Sequence, residues 1–298
     1  MSERPPVPEG RPRIGGSTQV VGVIGWPVSH SLSPAIHNAA FSALGMDWAY
    51  VPLPVPPDAL PEALAGLRAL GLAGANVTMP HKGGCAELID DLTEDARRLR
   101  AVNTIVLGPA GPSGHNTDAP GFDRFLRRDA GFDPSGRSAL IYGAGGAARA
   151  CALALARAGL RALAVAVREP ERAEALREAI EGLPTEVSVV PFEQAAGAPS
   201  DLIVNATPLG IHGEVLPLPP LGPDVLAVDL LYRPSLTPLL SAVRAAGNAA
   251  FGGLGLLLEQ AALSFELWTG QAAPLEVMSA AALAELAEGP GGDPSAAG

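Results

Sequence analysis

Short apolar runs alternate with amphipathic stretches through the first half of the chain. Three runs with the length of buried strands, each ended by polar, glycine or proline residues, lie at 20–24, 48–53 and 75–78. Helical stretches separate them at 33–44 and 58–70, and a glycine follows each one. Ser33 and Pro34 supply an N-cap and a first-turn proline for the first helix. This alternation predicts a parallel, βαβ-type sheet.

A second series of the same kind begins near residue 137. It predicts strands at 138–142, 162–167, 187–190, 201–204 and 225–228, with helices at 146–158 and 170–181. A helix at 118–129 joins the two series, and helices at 254–268 and 274–287 follow the last strand. A chain of 298 residues is long enough for two domains.

The pattern therefore predicts an α/β fold in which a βαβ-type domain precedes a Rossmann-like domain. We predict a first domain at 19–118, a second at 119–253, C-terminal helices at 254–288, and flexible tails at 1–18 and 289–298.

Composition narrows the class of protein. Hydrophobic residues make up 48% of the chain and charged residues 17%, which allows a sizeable buried core. The net charge of −11 argues against nucleic acid as a partner, because such a partner requires clustered basic surface. Cys85 and Cys151 lie far apart without metal-ligand spacing, and no apolar run has the length of a membrane span. We expect a cytoplasmic protein that requires neither a metal nor a membrane.

A glycine-rich turn stands between the predicted strand 138–142 and the helix that follows it. The turn fits G-x-G-x-x-A and begins Gly143, Ala144, Gly145, Gly146, Ala147. Small residues here allow a tight turn and let backbone N–H groups approach a diphosphate at the helix N-terminus. A close helix–strand contact would favour the same residues, but the strand–turn–helix context favours a dinucleotide.

The end of the next strand distinguishes the two nicotinamide cofactors. An acidic residue there accepts the ribose 2′-OH of NAD, whereas arginine accommodates the 2′-phosphate of NADP. Arg168 and Arg172 favour NADP. Glu169 would repel a phosphate unless it points away, although an acid in the first turn of a helix is also ordinary. The sequence thus predicts NADP and leaves NAD as the alternative.

Lys82 is the single lysine among the twenty basic side chains of the chain. Lysine can be tuned by its neighbours into the range of proton transfer, whereas the pKa of arginine is too high for that task. Lys82 follows Asn76 and Thr78 in a polar stretch, which suggests a proton-transfer role. The alternative is a lysine that has drifted onto a solvated surface.

Further polar residues follow the predicted strands of the first half. Ser31 and Ser33 precede a helix N-terminus, where hydroxyls and backbone N–H groups can receive a carboxylate. Asn103 and Asp118 add an amide and an acid later in the chain. Ordinary capping explains any one of these residues, but their joint occurrence ahead of a dinucleotide fold favours a substrate site.

Taken in order, these motifs resemble those of the shikimate dehydrogenase family, from about Val20 to Trp268. The matching pieces are SHSLSP at 29–34, GANVT at 74–78, PHK at 80–82, AVNT at 101–104, NTD at 116–118, GAGGAAR at 143–149, NATPLG at 205–210, and GLG at 253–255 followed by Gln260. The resemblance implies reduction of 3-dehydroshikimate to shikimate with NADPH, on the route to aromatic amino acids. It also implies that the C-terminal helices return to the substrate domain, and it leaves a monomer or a homodimer open.

The resemblance also implies roles for particular residues. Lys82 and Asp118 would be the catalytic pair, with Lys82 delivering the proton to the carbonyl oxygen and Asp118 orienting it. The carboxylate would bind Ser31 and Ser33, and the rest of the substrate would meet Asn76, Thr78, Asn103, Tyr232 and Gln260. Thr207 and Gly253 would join the glycine turn, Arg168 and Arg172 around NADP.

Two alternatives stay open, the first of them because of a departure from the family pattern. The cofactor strand usually ends Asn-Arg-Thr in the family, but here Val167-Arg168-Glu169 replaces that triplet. The first alternative is therefore a quinate/shikimate dehydrogenase that uses NAD. The second is a non-catalytic NADP-binding sensor on the same fold, which would not need both Lys82 and Asp118.

Overall fold

The computed structural model describes residues 14–288, and these divide into two compact units. The first unit comprises 14–92, 102–115 and 261–288, and the second comprises 93–101 and 116–260. The predicted tail at 289–298 and the first thirteen residues of the other tail lie outside the described residues. Residues 14–18 form a turn in which Ser17 and Thr18 donate to the Asp47 carboxylate at 2.7 and 2.6 Å.

A six-stranded sheet in the order β2-β1-β3-β5-β6-β4 forms the first unit. Its strands are β1 (Gln19–Gly25), β2 (Trp48–Pro54), β3 (Gly74–Val77), β4 (Asp91–Leu92), β5 (Thr104–Gly108) and β6 (Gly111–His115). Strands β1, β2 and β3 are parallel, as the alternation of strands and helices predicts. All four residues of β3 are buried, which fits a strand covered on both faces.

The three predicted strands are parallel, but two strands that were not predicted make the first sheet mixed. Strand β5 runs antiparallel to β3, and β5 and β6 form a hairpin in which Gly108 pairs with Gly111. Strand β6 reads Gly-Pro-Ser-Gly-His, a composition with low β propensity, so its sequence carries no strand signal. The sheet is mixed, and the polar residues at 103 and 115 flank its antiparallel part.

Helices α1 (Ser33–Ala43), α2 (Leu60–Ala69) and α3 (Lys82–Leu88) follow β1, β2 and β3. Helix α9 (Leu254–Thr269) gives its last nine residues to the first unit, and α10 (Leu275–Glu288) packs against α1. The indole N–H of Trp268 donates to the carbonyl oxygen of Ile105 at 2.9 Å. Gly74 is required beneath that indole, because a Cβ there would collide with the ring.

The second unit contains a parallel six-stranded sheet in the order β12-β11-β10-β7-β8-β9. Its strands are β7 (Ser138–Tyr142), β8 (Ala162–Val167), β9 (Glu186–Pro191), β10 (Leu202–Asn205), β11 (Leu226–Asp229) and β12 (Ala250–Gly252). This is the strand order of a Rossmann fold, with the switch in direction between β7 and β10. The prediction of a Rossmann-like domain is confirmed, and β7 and β8 have the bounds predicted from the sequence.

Helices cover both faces of the second sheet. They are α4 (Glu94–Leu99), α5 (Asp118–Arg128), α6 (Gly146–Arg157), α7 (Glu174–Ala179), α8 (Pro238–Ala245) and the first part of α9. Successive side chains of β7 enter different apolar clusters, Ala139 and Ile141 on one face and Leu140 and Tyr142 on the other. The helix predicted at 170–181 is instead a 3₁₀ turn, Pro170–Ala173, followed by the short α7. No helix within residues 14–288 is long and apolar enough to cross a membrane.

Candidate active site

The carboxyl ends of β1 and β3 bring several predicted site residues together in the first unit. The backbone N–H of Thr78 donates to Ile24 O at 2.8 Å, which continues the pairing beyond the strand end. Gly25 lies so close to Thr78 that a Cβ on it would stand 2.5 Å from the threonine methyl group. Because Lys82 begins α3 just after this crossing, the first unit fixes Thr78 and the start of α3 at one edge of the sheet.

Ser31 and Ser33 lie at the start of α1, but the prediction of Ser33 as the N-cap was wrong, because Leu32 holds that position and Ser33 is the first helical residue. The Ser31 hydroxyl accepts a hydrogen bond from the backbone N–H of Ser33 at 3.2 Å. Ser33 is buried, and its hydroxyl faces the phenol of Tyr50, whose pKa is raised by burial. The turn therefore holds two hydroxyls at a helix N-terminus, an arrangement able to receive an anion.

Asn76 is occupied by interior partners. Its Oδ1 accepts from the Tyr50 hydroxyl at 2.7 Å, and its Nδ2 lies within 3.1 Å of Asn103 O and Thr104 Oγ1 and 2.9 Å from Ser264 Oγ. Both polar atoms of the amide are thus used inside the unit. Asn76 therefore holds the strand ends together, and its contact with a substrate stays a prediction.

Asn103 ends the connection into β5 and is buried. Its backbone N–H donates to His115 O at 3.0 Å, and its side-chain Oδ1 accepts from the Thr104 hydroxyl at 3.1 Å. The preceding backbone N–H, that of Val102, donates to Lys82 O at 2.9 Å. The structure therefore brings Asn103 and Lys82 to neighbouring positions, as a shared substrate site would require.

Two neighbours of Lys82 in the sequence, His81 and Cys85, have structural roles. The His81 ring shares a hydrogen bond of 2.7 Å with Val55 O. Cys85 is buried on α3, and burial raises the pKa of its thiol to about 12, so the thiolate nucleophile is absent at neutral pH. Cys85 is therefore an inert residue of α3.

Asp118, Tyr232 and Gln260 belong to the second unit. Asp118 is the first residue of α5, and Asn116 caps this helix by accepting from the backbone N–H of Asp118 at 3.1 Å. Gly121 allows α5 to lie against α9, since a Cβ there would stand 2.9 Å from the backbone nitrogen of Gln260. Burial raises the pKa of the half-buried Tyr232 phenol. The second unit thus brings the helix of Asp118 to Gln260.

A cavity of about 530 Å³ opens at the carboxyl ends of the second sheet. It is lined by the glycine turn at Gly143, Ala144 and Gly145, by the end of β8, and by the loop that begins at Ala206 and Thr207. Gly143 has φ +96, and a Cβ on it would stand 3.0 Å from Thr207. The cavity lies at the switch point between β7 and β10, where Rossmann folds bind dinucleotides. The prediction of a nucleotide-binding turn here is supported by this geometry.

Arg168, Glu169 and Arg172 also line this cavity. The Arg168 guanidinium lies over the Phe192 ring, 5.5 Å from its centroid, and Arg172 Nε pairs with Glu169 Oε2 at 2.6 Å. The two arginines bring positive charge to the cavity, and Glu169 pairs with one of them, Arg172. The sequence did not predict Phe192 as a site residue. Its contact with Arg168 joins the ends of two different strands, β8 and β9, which no local motif encodes.

A buried polar network supports the loop over the cavity. Asn205 Oδ1 accepts from the backbone N–H and the hydroxyl of Thr207 at 3.0 and 2.7 Å, and its Nδ2 donates to Asp229 Oδ1 at 3.0 Å. Thr237 donates to the other oxygen of Asp229 at 2.7 Å. Burial raises the pKa of Asp229, and these hydrogen bonds oppose the shift. Sequence reasoning found Thr207 but missed Asp229 and Thr237, which no short motif connects to it.

Gly253 lies against backbone rather than beside the cavity. Its N–H donates to Leu231 O at 2.9 Å, and a Cβ on it would collide with the carbonyl oxygen of Leu230. This close contact requires a glycine at 253, and its contact with the cofactor stays a prediction. In the part of the chain that the structure describes, no group of three or more His, Cys, Asp or Glu residues is placed to hold a metal ion.

Three family models match segments of the chain. Residues 23–105 match the shikimate dehydrogenase substrate binding domain, and residues 253–283 match the shikimate 5′-dehydrogenase C-terminal domain. Residues 137–231 match the model described as NADP oxidoreductase coenzyme F420-dependent. The last segment coincides with most of the second sheet and the cavity at its edge.

Full-length relatives agree with the domain matches. The chain is 44% identical to shikimate dehydrogenase (NADP(+)) of Desulforamulus reducens, over 94% of this chain and 100% of the relative. It is 51% identical to the enzyme of the same name from Rubrobacter xylanophilus, over 87% of this chain and 93% of that relative. A crystal structure of shikimate 5-dehydrogenase from Thermus thermophilus, in complex with NADP(H) and shikimate, superposes with a TM-score of 0.81 at 38% identity, covering 90% of this chain and 100% of that one.

Proposed function

The chain belongs to the shikimate dehydrogenase family, and from this we propose that it catalyses the reversible reduction of 3-dehydroshikimate to shikimate with NADPH. The observation that carries the proposal is identity of 44% to an NADP-dependent shikimate dehydrogenase over that relative's whole length. The reaction is an oxidoreduction at a secondary alcohol and a step in the formation of aromatic amino acids.

The residues around the cavity of the second unit fit a nicotinamide dinucleotide. Gly143 takes a positive φ that other residues disfavour, and the N-terminus of α6 points backbone N–H groups of Gly145, Gly146 and Ala147 toward the turn. We propose that these groups hold the diphosphate and that Arg168 and Arg172 hold the 2′-phosphate of NADP. When bound, the cofactor supplies the hydride for the carbonyl carbon.

We propose Lys82 and Asp118 as the catalytic pair. Reduction of a ketone also requires a proton on oxygen, and the Lys82 ammonium can polarise the carbonyl and donate that proton. In the direction of oxidation, the neutral amine accepts the proton from the hydroxyl. Asp118 would orient the ammonium and compensate its charge. These roles are supported by the position of each residue in the family motifs PHK and NTD.

The remaining polar residues bind the substrate in this proposal. Ser31 and Ser33 receive the carboxylate at the N-terminus of α1, where backbone N–H groups add a favourable partial charge. Asn103 and Thr78 would contact ring hydroxyls from the first unit. Tyr232 and Gln260 would do so from the second. Thr207 and its supporting network would shape the loop beside the cofactor.

Steady-state kinetics with four substrate pairs test the proposed function. Oxidation of shikimate and of quinate is measured with NADP and with NAD, by following formation of the reduced cofactor. The proposal predicts the highest kcat/KM for shikimate with NADP. The absence of turnover with every pair, in a folded protein that binds NADP, would instead favour the sensor.

A second candidate is an NAD-dependent quinate/shikimate dehydrogenase. Glu169 favours it, because a carboxylate at the end of β8 can accept the ribose 2′-OH of NAD. The ion pair with Arg172 weighs against this role, since it gives Glu169 a partner on the protein. The same kinetic measurement decides, because this candidate predicts the highest kcat/KM with NAD.

We further propose that the protein works in the cytoplasm as a monomer or a homodimer. Cys85 and Cys151 are both buried free thiols, which suits a reducing compartment. Sedimentation equilibrium of the purified chain distinguishes the two assembly states.

A further inference from the structure

A chain of buried hydroxyl and amide groups in the first unit ends at the side chain of Asn103. It runs from the Tyr50 hydroxyl through the Asn76 amide to Thr104 and Ser264, whose hydroxyl oxygens lie 2.8 Å apart. From Thr104 it continues to Asn103 Oδ1 at 3.1 Å. Thr104 and Ser264 are fully buried, and neither was predicted from the sequence as a site residue.

The orientation of the Asn76 amide is fixed at the start of this chain. The backbone oxygen of Asn103 can only accept a hydrogen bond, so the Asn76 atom that faces it at 3.1 Å must be Nδ2. The other atom of the amide, Oδ1, therefore faces Tyr50, which donates to it. The Nδ2 group also faces Thr104 Oγ1, which accepts from it and keeps its own proton for another partner.

We take Ser264 as the donor in its 2.8 Å contact with Thr104, which leaves the Thr104 proton for Asn103. The Thr104 hydroxyl donates to Asn103 Oδ1, so the carbonyl end of the Asn103 amide faces the interior network. The NH₂ end of the Asn103 amide consequently points away from Thr104. An asparagine whose oxygen is not held in this way can turn its amide over at little cost, because its two ends are nearly the same size.

We propose that Thr104, backed by Ser264, is a positioning residue that fixes the amide of Asn103 so that its NH₂ group faces the substrate. This inference rests on the proposed function, in which Asn103 binds a ring hydroxyl of shikimate. The site then recognises that hydroxyl through its oxygen as a hydrogen-bond acceptor. A turned amide would present its own oxygen and would lose this hydrogen bond.

Thr104→Val tests the proposal, because valine keeps the shape of threonine and removes the hydroxyl. Asn76 retains its other acceptors, Asn103 O and Ser264 Oγ. We expect the KM for shikimate to rise between about twofold and about tenfold, the range for one lost hydrogen bond, with kcat and the KM for NADP nearly unchanged. Thr104→Ser restores the hydroxyl and is expected to restore the KM.

Thr269→Val is the matched control. Its hydroxyl donates to Phe265 O at 2.8 Å on the same helix as Ser264, outside the network. We expect this variant to leave all kinetic parameters unchanged, even where it lowers the unfolding temperature. A purely structural role for Thr104 predicts that thermal stability falls in Thr104→Val while the KM for shikimate stays at the wild-type value.

An unchanged KM in folded Thr104→Val, or a KM that Thr104→Ser fails to restore, overturns the inference. If Thr104→Val does not fold, Ser264→Ala is measured instead, and an unchanged KM for shikimate there overturns the inference as well. Failure of the proposed function is a separate result, because wild-type protein would then show no oxidation of shikimate. The wild-type assay is therefore run first.

Discussion

At the scale of single residues, the serines at the start of α1 offer the sharpest test of the substrate site. Ser31→Ala combined with Ser33→Ala removes two hydroxyls that would donate to the carboxylate. Each hydrogen bond to a charged group is worth about 1.5–3 kcal/mol, so the KM for shikimate should rise at least tenfold for each. The affinity for NADP, measured by fluorescence titration, should stay unchanged.

Ser42→Ala is the control for that pair, because Ser42 is an exposed serine on the same helix. Normal binding of shikimate to the double variant would show that Ser31 and Ser33 serve only the local turn. The carboxylate would then bind elsewhere.

In the proposed function, cofactor choice depends on three charged side chains at the end of β8. Arg168→Ala should weaken the binding of NADP by about 1.5–3 kcal/mol, the range for a charged hydrogen bond. The binding of NAD should be nearly unaffected. The loss should shrink at high salt, because Arg168 is exposed and ions screen it. Glu169→Thr should tighten the binding of NADP, because it removes a negative charge that pairs with Arg172 in the wild-type protein. Titration of each variant with both cofactors measures these effects.

A preference of the wild-type protein for NAD would change the assignment of Glu169. If wild type prefers NAD and Glu169→Thr weakens its binding, Glu169 is the acceptor of the ribose hydroxyl. The NAD-dependent candidate then replaces the NADP enzyme.

The sequence predicts candidate site residues that lie within short motifs but not contacts made across the fold. Ser31, Thr78 and Lys82 are candidates because each follows an apolar strand pattern within a few residues. Tyr50 and Ser264 reach Asn76 from positions 26 and 188 residues away, and no local spacing encodes such a contact. Asn76 shows that a polar residue at a strand end can also spend its hydrogen bonds on interior partners.

At the scale of elements, glycines decide how closely the segments of the second unit pack. Gly253 joins β12 to α9, and a Cβ on it would collide with Leu230 O. Gly253→Ala should lower the free energy of unfolding by about 1–3 kcal/mol, the usual cost of overpacking. Gly222→Ala is the control, because nothing lies within 4 Å of its Cβ position. Chemical denaturation of both variants measures the difference, and equal stabilities would contradict the assigned contact.

Elements with a strong apolar signal were predicted best. Strands β7 and β8 are buried runs of five and six residues bounded by polar or glycine residues, and their bounds were predicted correctly. The hairpin of β5 and β6, helix α4 and strand β12 were missed. Helix α4 has only six residues, and β6 contains glycine and proline, so pairing and packing rather than local propensity define them.

At the scale of the whole molecule, the buried His37 should make stability depend on pH. Its ring is fully buried, stacks on Tyr50 with centroids 4.5 Å apart, and has no hydrogen-bond partner within the described residues. Burial lowers the pKa of His37 to about 3 in the folded chain, against 6.5 as the ordinary value. Below pH 6.5 the unfolded chain therefore binds a proton that the folded chain does not. Stability should fall by about 1.4 kcal/mol per pH unit from this group alone.

His37→Phe isolates the contribution of His37, because phenylalanine keeps an aromatic ring against Tyr50 and does not titrate. Urea denaturation of both proteins between pH 7 and pH 4 should show the stability of wild type falling faster than that of the variant. Parallel profiles would contradict the assignment of a neutral, buried imidazole.

The proposed reaction requires that Lys82, the only lysine of the chain, transfers the proton. The decisive measurement is the kcat for shikimate oxidation by Lys82→Arg compared with wild type, because arginine keeps the positive charge and cannot give up its proton. We expect a kcat lower by a factor of about 100 or more, with the KM for NADP unchanged. Turnover near the wild-type value would contradict proton transfer by Lys82, because Lys82 would then act only as a cation.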